Sequence, residues 1–329
     1  MMLPLSDKQL KESPPPTTWD NTMRIQLIEC PRKIYYFLRG YDYKIKPAYF
    51  GFGSAWHEIL NTWYTLGVAG KYSQEERMKS KECYEEAKGI ALATGLILYD
   101  KEAAGGLADN SRENLISLWH AYTISYPSEP WKLIPNGGEL GWIWPMPKSP
   151  FTLAQEYSLG GSLDGRITWE PYGTLILENK TFGGWLGDFY IDSFYFSPQV
   201  SGYIWYDTNL QGSPTFGALI NMASKKTSKA GATPKFSRSL QRRSQKDLDE
   251  FILAFQYDLL RFEFFWSSWT WPKTANPTNC TGGLGKTSCL FKPLCKTQAR
   301  LEDLDPLTFP NISHRASPWE PWKREGEQE

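Results

Sequence analysis

The chain has 329 residues, 41% of them hydrophobic and 22% charged, a composition typical of a folded protein that excludes a disordered or fibrous chain. No apolar run approaches the roughly 18 residues that a membrane-spanning helix needs, so we expect no membrane partner. The sequence does not begin with a basic segment followed by a long apolar one, as a secretory signal does. We therefore expect a protein of the cytoplasm.

The 36 basic and 36 acidic side chains balance, but they are unevenly distributed. Residues 225–246 hold eight Lys or Arg and no acid, so the rest of the chain has eight more acidic than basic side chains. A local basic stripe can follow a phosphate backbone, although a solvated hairpin with basic tips has the same composition. The candidate contacts in this basic segment are Lys225, Lys226, Arg242 and Arg243.

The first 130 or so residues are predicted to be mainly helical. The Pro-rich residues 1–18 are expected to be poorly ordered. Helices are predicted at about 20–30, where Pro31 ends the helix, at 53–68, at 73–93 after a capping box that begins at Ser73, and around the apolar stripe of Leu115, Leu118, Trp119 and Tyr122.

Beyond Gly137 the pattern becomes mixed. A β-hairpin is predicted, with strands at about 154–169 and 174–181 around a turn at 170–173. A helix at 194–209, a strand at 215–223 and a long helix at 244–266 follow it. This order predicts a mixed α/β core with helical additions rather than a doubly wound sheet.

The hairpin brings acidic and basic side chains together. Alternation along a strand puts Glu178 and Lys180 on one face, and pairing across the turn puts position 164 opposite 179, within one residue of Glu178. Such a patch, with Asp164, could be no more than a surface salt bridge. It could also bind Mg²⁺ or Mn²⁺, hard cations that prefer oxygen ligands. Lys180 could then orient or deprotonate a water molecule that attacks a phosphodiester.

Two helical motifs could add to this site. His57 lies beside apolar residues of the 53–68 helix, where it could be a packed imidazole or a further ligand of the same metal. Gln199 and Tyr203 have the i, i+4 spacing that places both on one helix face, but propensity alone gives them no role.

Three of the five cysteines, Cys280, Cys289 and Cys295, are close in sequence, with the spacing C-x8-C-x5-C in a Gly- and Pro-containing segment. An odd number of cysteines does not favour a disulfide scaffold. One more soft ligand would complete a tetrahedral metal site or an iron–sulfur cluster. Cys30, at the predicted end of a helix, is better placed to supply it than Cys83 in the middle of one.

Taken in order, these motifs resemble those of RecB-like nucleases in the iron–sulfur branch of the PD-(D/E)xK superfamily. The branch includes the CRISPR-associated adaptation nuclease, AddB-type nuclease subunits and small phage exonucleases. The matching segments, which span about residues 22–298, are Cys30-Pro-Arg-Lys-Ile-Tyr-Tyr, Gly53-x3-His57, Gly161-Ser-Leu-Asp164-Gly165, Glu178-Asn-Lys180-Thr181, Gln199-x3-Tyr203 and the three late cysteines.

The resemblance implies a catalytic centre. His57, Asp164 and Glu178 would bind the catalytic Mg²⁺ or Mn²⁺ together with the backbone carbonyl of Asn179, and Lys180 would be the catalytic lysine. The motif that contains Gln199 and Tyr203 would brace this centre and contact DNA, and the basic segment would form one wall of the DNA path.

The resemblance also implies a [4Fe–4S] cluster on Cys30, Cys280, Cys289 and Cys295. The family usually has two residues between the second and third of these cysteines, whereas this chain has eight. Zn²⁺ in the same four-cysteine site therefore stays an alternative. Either group would fasten the C-terminal segment to the helix that ends at Cys30.

The fold implied is a PD-(D/E)xK core, a mixed sheet with an antiparallel hairpin and flanking helices. The predicted organisation is a disordered N-terminus at 1–18, a helical region at 19–135, the nuclease core at 136–272, a cysteine segment at 273–298 and a polar tail at 299–329.

The function implied is a metal-dependent DNA nuclease, an exonuclease on single-stranded DNA or free ends. It would act in recombination, repair, or phage or CRISPR DNA processing, in the cytoplasm of a bacterium or a phage-infected cell. The alternatives are a non-catalytic DNA-binding or assembly subunit with a structural metal cluster, and a zinc-stabilised scaffold with no role on DNA. No motif points to a protein partner.

Overall fold

The computed structural model describes residues 5–103, 105–184, 186–212, 215–226, 236–282, 288–297 and 305–323. Its helices are α1 (Asp7–Glu12), α2 (Asn21–Glu29), α3 (Pro31–Leu38), α4 (Ala48–Leu66), α5 (Gln74–Lys79), α6 (Lys81–Glu102), α7 (Arg112–Ser125), α8 (Asp188–Ser193), α9 (Pro198–Gln211), α10 (Gln245–Ser268), α11 (Thr278–Thr281) and α12 (Lys292–Lys296). Its strands are β1 (Thr18–Trp19), β2 (Tyr41–Tyr43), β3 (Lys132–Pro145), β4 (Ser158–Trp169), β5 (Gly173–Phe182), β6 (Ala218–Ser224), β7 (Phe236–Gln241) and β8 (Ile312–His314).

The chain forms two compact units, and each unit combines segments that are distant in sequence. The first contains Met1–Ile45, Trp142–Gly161 and Asp249–Glu329, and the second contains Lys46–Gly141 and Ser162–Leu248. Neither unit is one stretch of chain, and the continuous ranges expected from the sequence stay a prediction.

The first unit contains ordered structure where composition predicts a poorly ordered N-terminus. Ser6 and Gln9 form a reciprocal capping box at the start of α1, and Leu5 and Leu10 are buried. β1 pairs in parallel with the first residues of β4, Ser158 and Leu159. β8, within the expected polar tail, pairs antiparallel with β2, and its first residue, Ile312, is buried.

Two expected helices differ from the observed ones. The helix predicted at 20–30 ends at Glu29 as expected, but Pro31 then begins α3, since a first-turn proline loses no helical hydrogen bond. The single helix predicted from Ser73 is wrong: Ser73 caps α5, which ends at Lys79. Ser80 is extended and accepts a hydrogen bond from the N–H of Cys83, so it caps a second helix, α6.

The second unit contains a mixed sheet in the order β4-β5-β6-β7. The β4–β5 pair is the predicted antiparallel hairpin, β5 and β6 are parallel, and β6 and β7 are antiparallel. The hairpin register differs by one residue from the prediction, because Trp169 rather than Glu170 pairs with Gly173. In this register Asp164, before Gly165, and Glu178, after Leu177, lie at the end of the ladder next to the Gly165–Leu177 pair. The expected α/β class with a mixed sheet is confirmed.

Helices α4, α6 and α7 pack against this sheet around an aromatic core. Trp56, Trp63 and Trp119 are buried together with Leu177 of β5 and other apolar side chains. α6 approaches α4 closely at Gly95, where an added methyl group would lie 2.2 Å from Cγ1 of Ile59. Within the described part of the chain, no helix combines the length and the apolar composition needed to cross a lipid bilayer.

Candidate metal centre

Three elements of the second unit bring potential metal ligands together. His57 of α4, Glu139 of β3 and Asp164 of β4 each offer one donor atom, and these atoms lie within 4.8 Å of one another. Asp164 connects the group to β5: its Oδ1 lies 3.2 Å from Nδ1 of His57, and its Oδ2 accepts a hydrogen bond of 2.6 Å from the N–H of Asn179. One imidazole and two carboxylates therefore converge at one point.

Glu178 and Lys180 lie on β5 beside this point and form an ion pair. Lys180 Nζ also donates to Oε1 of Gln199 at 3.2 Å, and Nε2 of Gln199 donates to the hydroxyl of Tyr203 at 2.7 Å. The i, i+4 pair on α9 thus braces the lysine ammonium. The second carboxylate oxygen of Glu178, Oε2, is buried and has no hydrogen-bond partner among the described residues.

Burial, with negative charge nearby, raises the pKa of two carboxyl groups. Burial raises the pKa of Glu178 to about 7, and the Asp164 carboxylate adds to the effect. Burial and the Asp164 charge likewise raise the pKa of Glu139 to about 7. A bound cation would act in the opposite direction and favour the charged forms of both groups.

Burial and neighbouring charges also shift the pKa of the other ionisable groups of the site. Burial works against the imidazolium, but the charge of Asp164 and its hydrogen bond raise the pKa of His57 to about 9. Burial also disfavours the Lys180 ammonium, yet Glu178 and Asp164 raise its pKa. Burial acts to raise the pKa of Asp164, but its contacts with His57 and Lys180 and the Asn179 N–H outweigh burial and lower it.

Glu139 is the residue of this group that the sequence motifs do not point to. It belongs to β3, an irregular strand that has no counterpart among the predicted elements. Asn136 and Glu139 both have positive φ, 58° and 45°, beside Gly137 and Gly138. Strained backbone of this kind clusters at functional sites, but the Asn-Gly-Gly-Glu sequence alone predicts only a turn.

A buried polar network lies behind β5, on the face opposite Glu178 and Lys180. Nδ2 of Asn221 on β6 donates to Oδ1 of Asn179 at 2.9 Å and lies 3.0 Å from the hydroxyl of Tyr122. Arg238 on β7 donates to Oδ1 of Asn221 and forms an ion pair of 2.7 Å with Glu129. Asn179, which lies between Glu178 and Lys180 on β5, is therefore fixed by a hydrogen bond on the face opposite those two side chains.

The basic residues singled out in the sequence have different environments. Lys225 is only 7% exposed, and its Nζ donates to Oδ1 of Asn110, whereas Lys226 and Arg242 are exposed. Arg243 is half-buried, donating from Nε to Ser201 at 2.9 Å. Residues 227–235 of the basic segment lie outside the described residues, and the DNA contacts stay a prediction.

The four cysteines of the expected cluster all belong to the first unit. Cys30 is buried and adjoins Pro31 at the start of α3, and the N–H of Cys289 donates to the carbonyl of Cys280 at 3.1 Å. Burial raises the pKa of Cys289 and Cys295, and neighbouring thiols of the same four, Cys30 among them, raise it further. Cys83 belongs to the second unit, where its thiol donates to the carbonyl of Lys71.

Comparisons with known proteins name no family. No family model matches the sequence, and no curated protein matches it. Among solved structures, the crystal structure of SSO0001 aligns with a TM-score of 0.32 and 9% identity, over 89% of this chain and 93% of that one. A superposition at that level supports no conclusion about fold family or function.

Proposed function

We propose that the protein is a metal-dependent DNA nuclease with a PD-(D/E)xK core of the RecB-like kind. The observation that carries the proposal is the convergence of His57, Glu139 and Asp164 donor atoms beside the Glu178–Lys180 pair. Phosphodiester hydrolysis by such a centre needs oxygen-rich ligands for a hard cation and a cationic group next to the attacked phosphate. This group of residues supplies both.

The residues present fit Mg²⁺ or Mn²⁺. Two oxygen donors and one nitrogen donor already lie within 4.8 Å of one another, and Oε2 of Glu178 is a buried acceptor that lacks a partner among the described residues. Burial first, and the Asp164 charge second, raise the pKa of Glu178 and Glu139, and a divalent cation would favour the charged form of both groups. When bound, the metal would polarise the scissile phosphate and lower the pKa of a water molecule.

The chain's own groups would do the rest of the chemistry. Asp164 fixes the imidazole of His57 through the contact at Nδ1 and fixes the Asn179 peptide through its N–H. Lys180, held by Glu178 and Gln199, has a raised pKa and therefore stays protonated at neutral pH. It would orient the attacking water and stabilise the charge that develops on the phosphate oxygens.

The same proposal includes a metal cluster on Cys30, Cys280, Cys289 and Cys295. The cations around Cys289 and Cys295, which are Arg32, Lys33 and Lys273, suit the negative charge of a [4Fe–4S] cluster on four thiolates. Zn²⁺ on the same four cysteines would carry a similar charge and stays the alternative.

The test is the digestion of end-labelled single-stranded DNA in Mn²⁺ or Mg²⁺ by anaerobically purified protein. Glu178→Ala and Lys180→Ala should each reduce the rate by about 10²-fold or more, because each removes a group that acts on the phosphate or its metal. The exposed Glu75–Lys79 pair of the same unit supplies matched controls, Glu75→Ala and Lys79→Ala, which should keep full activity.

The product ladder would show whether cleavage proceeds from an end, as we propose for an exonuclease acting in DNA recombination, repair or phage or CRISPR processing. If the wild type is inert with both metals but binds DNA, the protein is a binding or assembly subunit instead. We place this activity in the cytoplasm of a bacterium or a phage-infected cell.

A further inference from the structure

One short segment of the second unit exposes three large aromatic side chains to solvent. Phe189 is 92% exposed, Phe196 is 80% exposed and Tyr195 is 56% exposed. All three belong to α8 or to the turn that joins it to α9. Single exposed aromatic residues are common, but three within eight residues call for an explanation.

This aromatic segment is continuous with the candidate metal centre. Tyr190, which follows Phe189 in α8, stacks on Phe182 with the ring centroids 3.8 Å apart. Phe182 ends β5 two residues after Lys180, and Tyr190 is close enough to Lys180 for the two groups to interact electrostatically. Phe189 is therefore adjacent in sequence to a ring that lies near Lys180.

Arg243 contacts the segment at two points. Nη2 of Arg243 donates to the carbonyl of Phe194 at 2.8 Å, and its guanidinium carbon lies 5.5 Å from the ring centroid of Tyr195. Tyr195 in turn contacts Phe196 edge to face, with centroids 5.0 Å apart. Because the surface is already ordered, a ligand would lose little conformational entropy there.

We propose that Phe189, Tyr195 and Phe196 form a stacking platform for unpaired nucleobases of the DNA strand that enters the metal centre. The inference rests on the proposed function and identifies the residues that would select single-stranded over duplex DNA. Any base can stack on an aromatic ring, whereas the bases of a duplex are already stacked on each other.

The charges around the platform favour bases over other partners. Asp188 and Asp192 of α8 are exposed, so this helix repels phosphates and anionic lipid head groups. Arg243, whose guanidinium is near the Tyr195 ring, and Lys180, near Tyr190, would attract the strand's backbone. The rings would therefore meet the bases while the phosphates lie towards the lysine.

The test measures DNA binding without hydrolysis. Fluorescence anisotropy in EDTA compares a labelled oligo(dT) of about 12 nucleotides with an abasic strand of equal length. The wild type should bind oligo(dT) about tenfold more tightly or better, and the Phe189→Ala/Phe196→Ala double variant should lose that preference. Phe264→Ala is the matched control, because Phe264 is 65% exposed on α10, in the other unit.

The outcomes separate the platform from the proposed nuclease function. Equal binding of both strands by the wild type, or an unchanged preference in the double variant, overturns the platform, even if DNA hydrolysis by the wild type is then found. A preference that depends on the two rings, together with no hydrolysis in Mn²⁺ or Mg²⁺, supports the platform and overturns the nuclease. Loss of binding to both strands in the Phe264→Ala control also contradicts the assignment.

Discussion

Oδ2 of Asp164 accepts a hydrogen bond of 2.6 Å from the backbone N–H of Asn179, so a candidate metal ligand on β4 fixes the peptide between Glu178 and Lys180 on β5. The side chain of the same Asn179 is held on the opposite face by Asn221 of β6. One residue thus connects the metal centre to the buried network behind it. The position of the β5 ligands depends on both connections.

Replacing Asn221 tests the hydrogen bond that β6 makes to the side chain of Asn179. Asn221→Leu leaves Oδ1 of Asn179 without its hydrogen-bond donor and removes one hydrogen bond of Arg238, which keeps its ion pair with Glu129; a buried polar group without a partner costs about 1–3 kcal/mol. We expect urea unfolding to show a loss of stability of that size, and Mn²⁺ titration to show weaker binding. Asn209→Leu, at an exposed position on α9, is the control and should change neither.

Glu139 should be a metal ligand although no motif marks it. Glu139→Gln keeps the size of the side chain but removes the charge, and we expect the affinity for Mn²⁺ to fall about tenfold or more. Electron paramagnetic resonance of free Mn²⁺ measures the change. Glu75→Gln, on the exposed surface of the same unit, controls for lost charge. An affinity that stays at the wild-type value would exclude Glu139 from the site.

Mn²⁺ should stabilise the folded protein, because only the folded chain brings the donors together. At a hundredfold excess over the dissociation constant, binding adds about 2.7 kcal/mol to the free energy of unfolding. Thermal unfolding with increasing Mn²⁺ should therefore show a rising midpoint that EDTA reverses. Asp164→Asn should abolish the rise, since Asp164 contributes one donor and positions His57. A rise that survives this substitution would place the ion elsewhere.

Lys225 should make stability depend on alkaline pH. Burial lowers the pKa of its ammonium from 10.5 to about 8 in the folded chain, so folding penalises the charged form. Below pH 8 the lysine is charged in both states and the penalty is complete; as pH rises above 8, the folded protein loses its proton first and the penalty shrinks. Relative to that of Lys225→Met, the free energy of unfolding of the wild type should rise by about 2 kcal/mol between pH 8 and pH 9.5.

The ionisation of tyrosines affects the wild type and Lys225→Met equally, so it cancels in the difference between their free energies of unfolding. Lys226→Met removes a charge from the exposed neighbouring position and serves as the control. Urea unfolding at several pH values measures the differences. A constant difference between wild type and Lys225→Met would show that burial does not affect the titration of this lysine.

Cys30 should be required for the metal cluster and Cys83 should not. Anaerobically purified protein should contain about four iron atoms and as many acid-labile sulfides per chain. Cys30→Ser should lose them, whereas Cys83→Ser should retain them, because the Cys83 thiol belongs to the other unit. One zinc ion per chain in the wild type would favour the alternative occupant of the same cysteines.

The parts of the site with a strand or helix period could be predicted from the sequence. Alternation places Glu178 and Lys180 on one face, and the i, i+4 spacing places Gln199 beside Tyr203; both relationships hold in the structure. The one-residue error in the hairpin register did not separate Asp164 from its partners. It came from the loop: three residues, 170–172, separate the paired Trp169 and Gly173, whereas a β-turn at 170–173 would pair its own first and last residues.

The parts that depend on contacts between distant segments could not be predicted. Glu139 reaches the site through an irregular strand whose two positive φ angles have no sequence signature. β7 lies within the basic segment, where the many polar residues leave no clear alternation of apolar and polar side chains. Its pairing with the buried β6 makes it a strand. The break between α5 and α6 depends on Ser80, which caps α6. A serine at that position could equally have been part of a continuous helix, so the sequence alone does not indicate the break.

The interleaving of the two units affects how the chain folds during synthesis. The first unit needs residues 1–45 and the residues from Asp249 onward, which leave the ribosome about 200 residues later. At 5–20 residues per second, the N-terminal helices wait about 10–40 s for their partners. During that time Trp19, Leu27 and Ile34, all fully buried in the finished protein, have only part of their packing available. A nascent chain stalled before Asp249 should therefore expose these side chains and bind chaperones that recognise apolar segments.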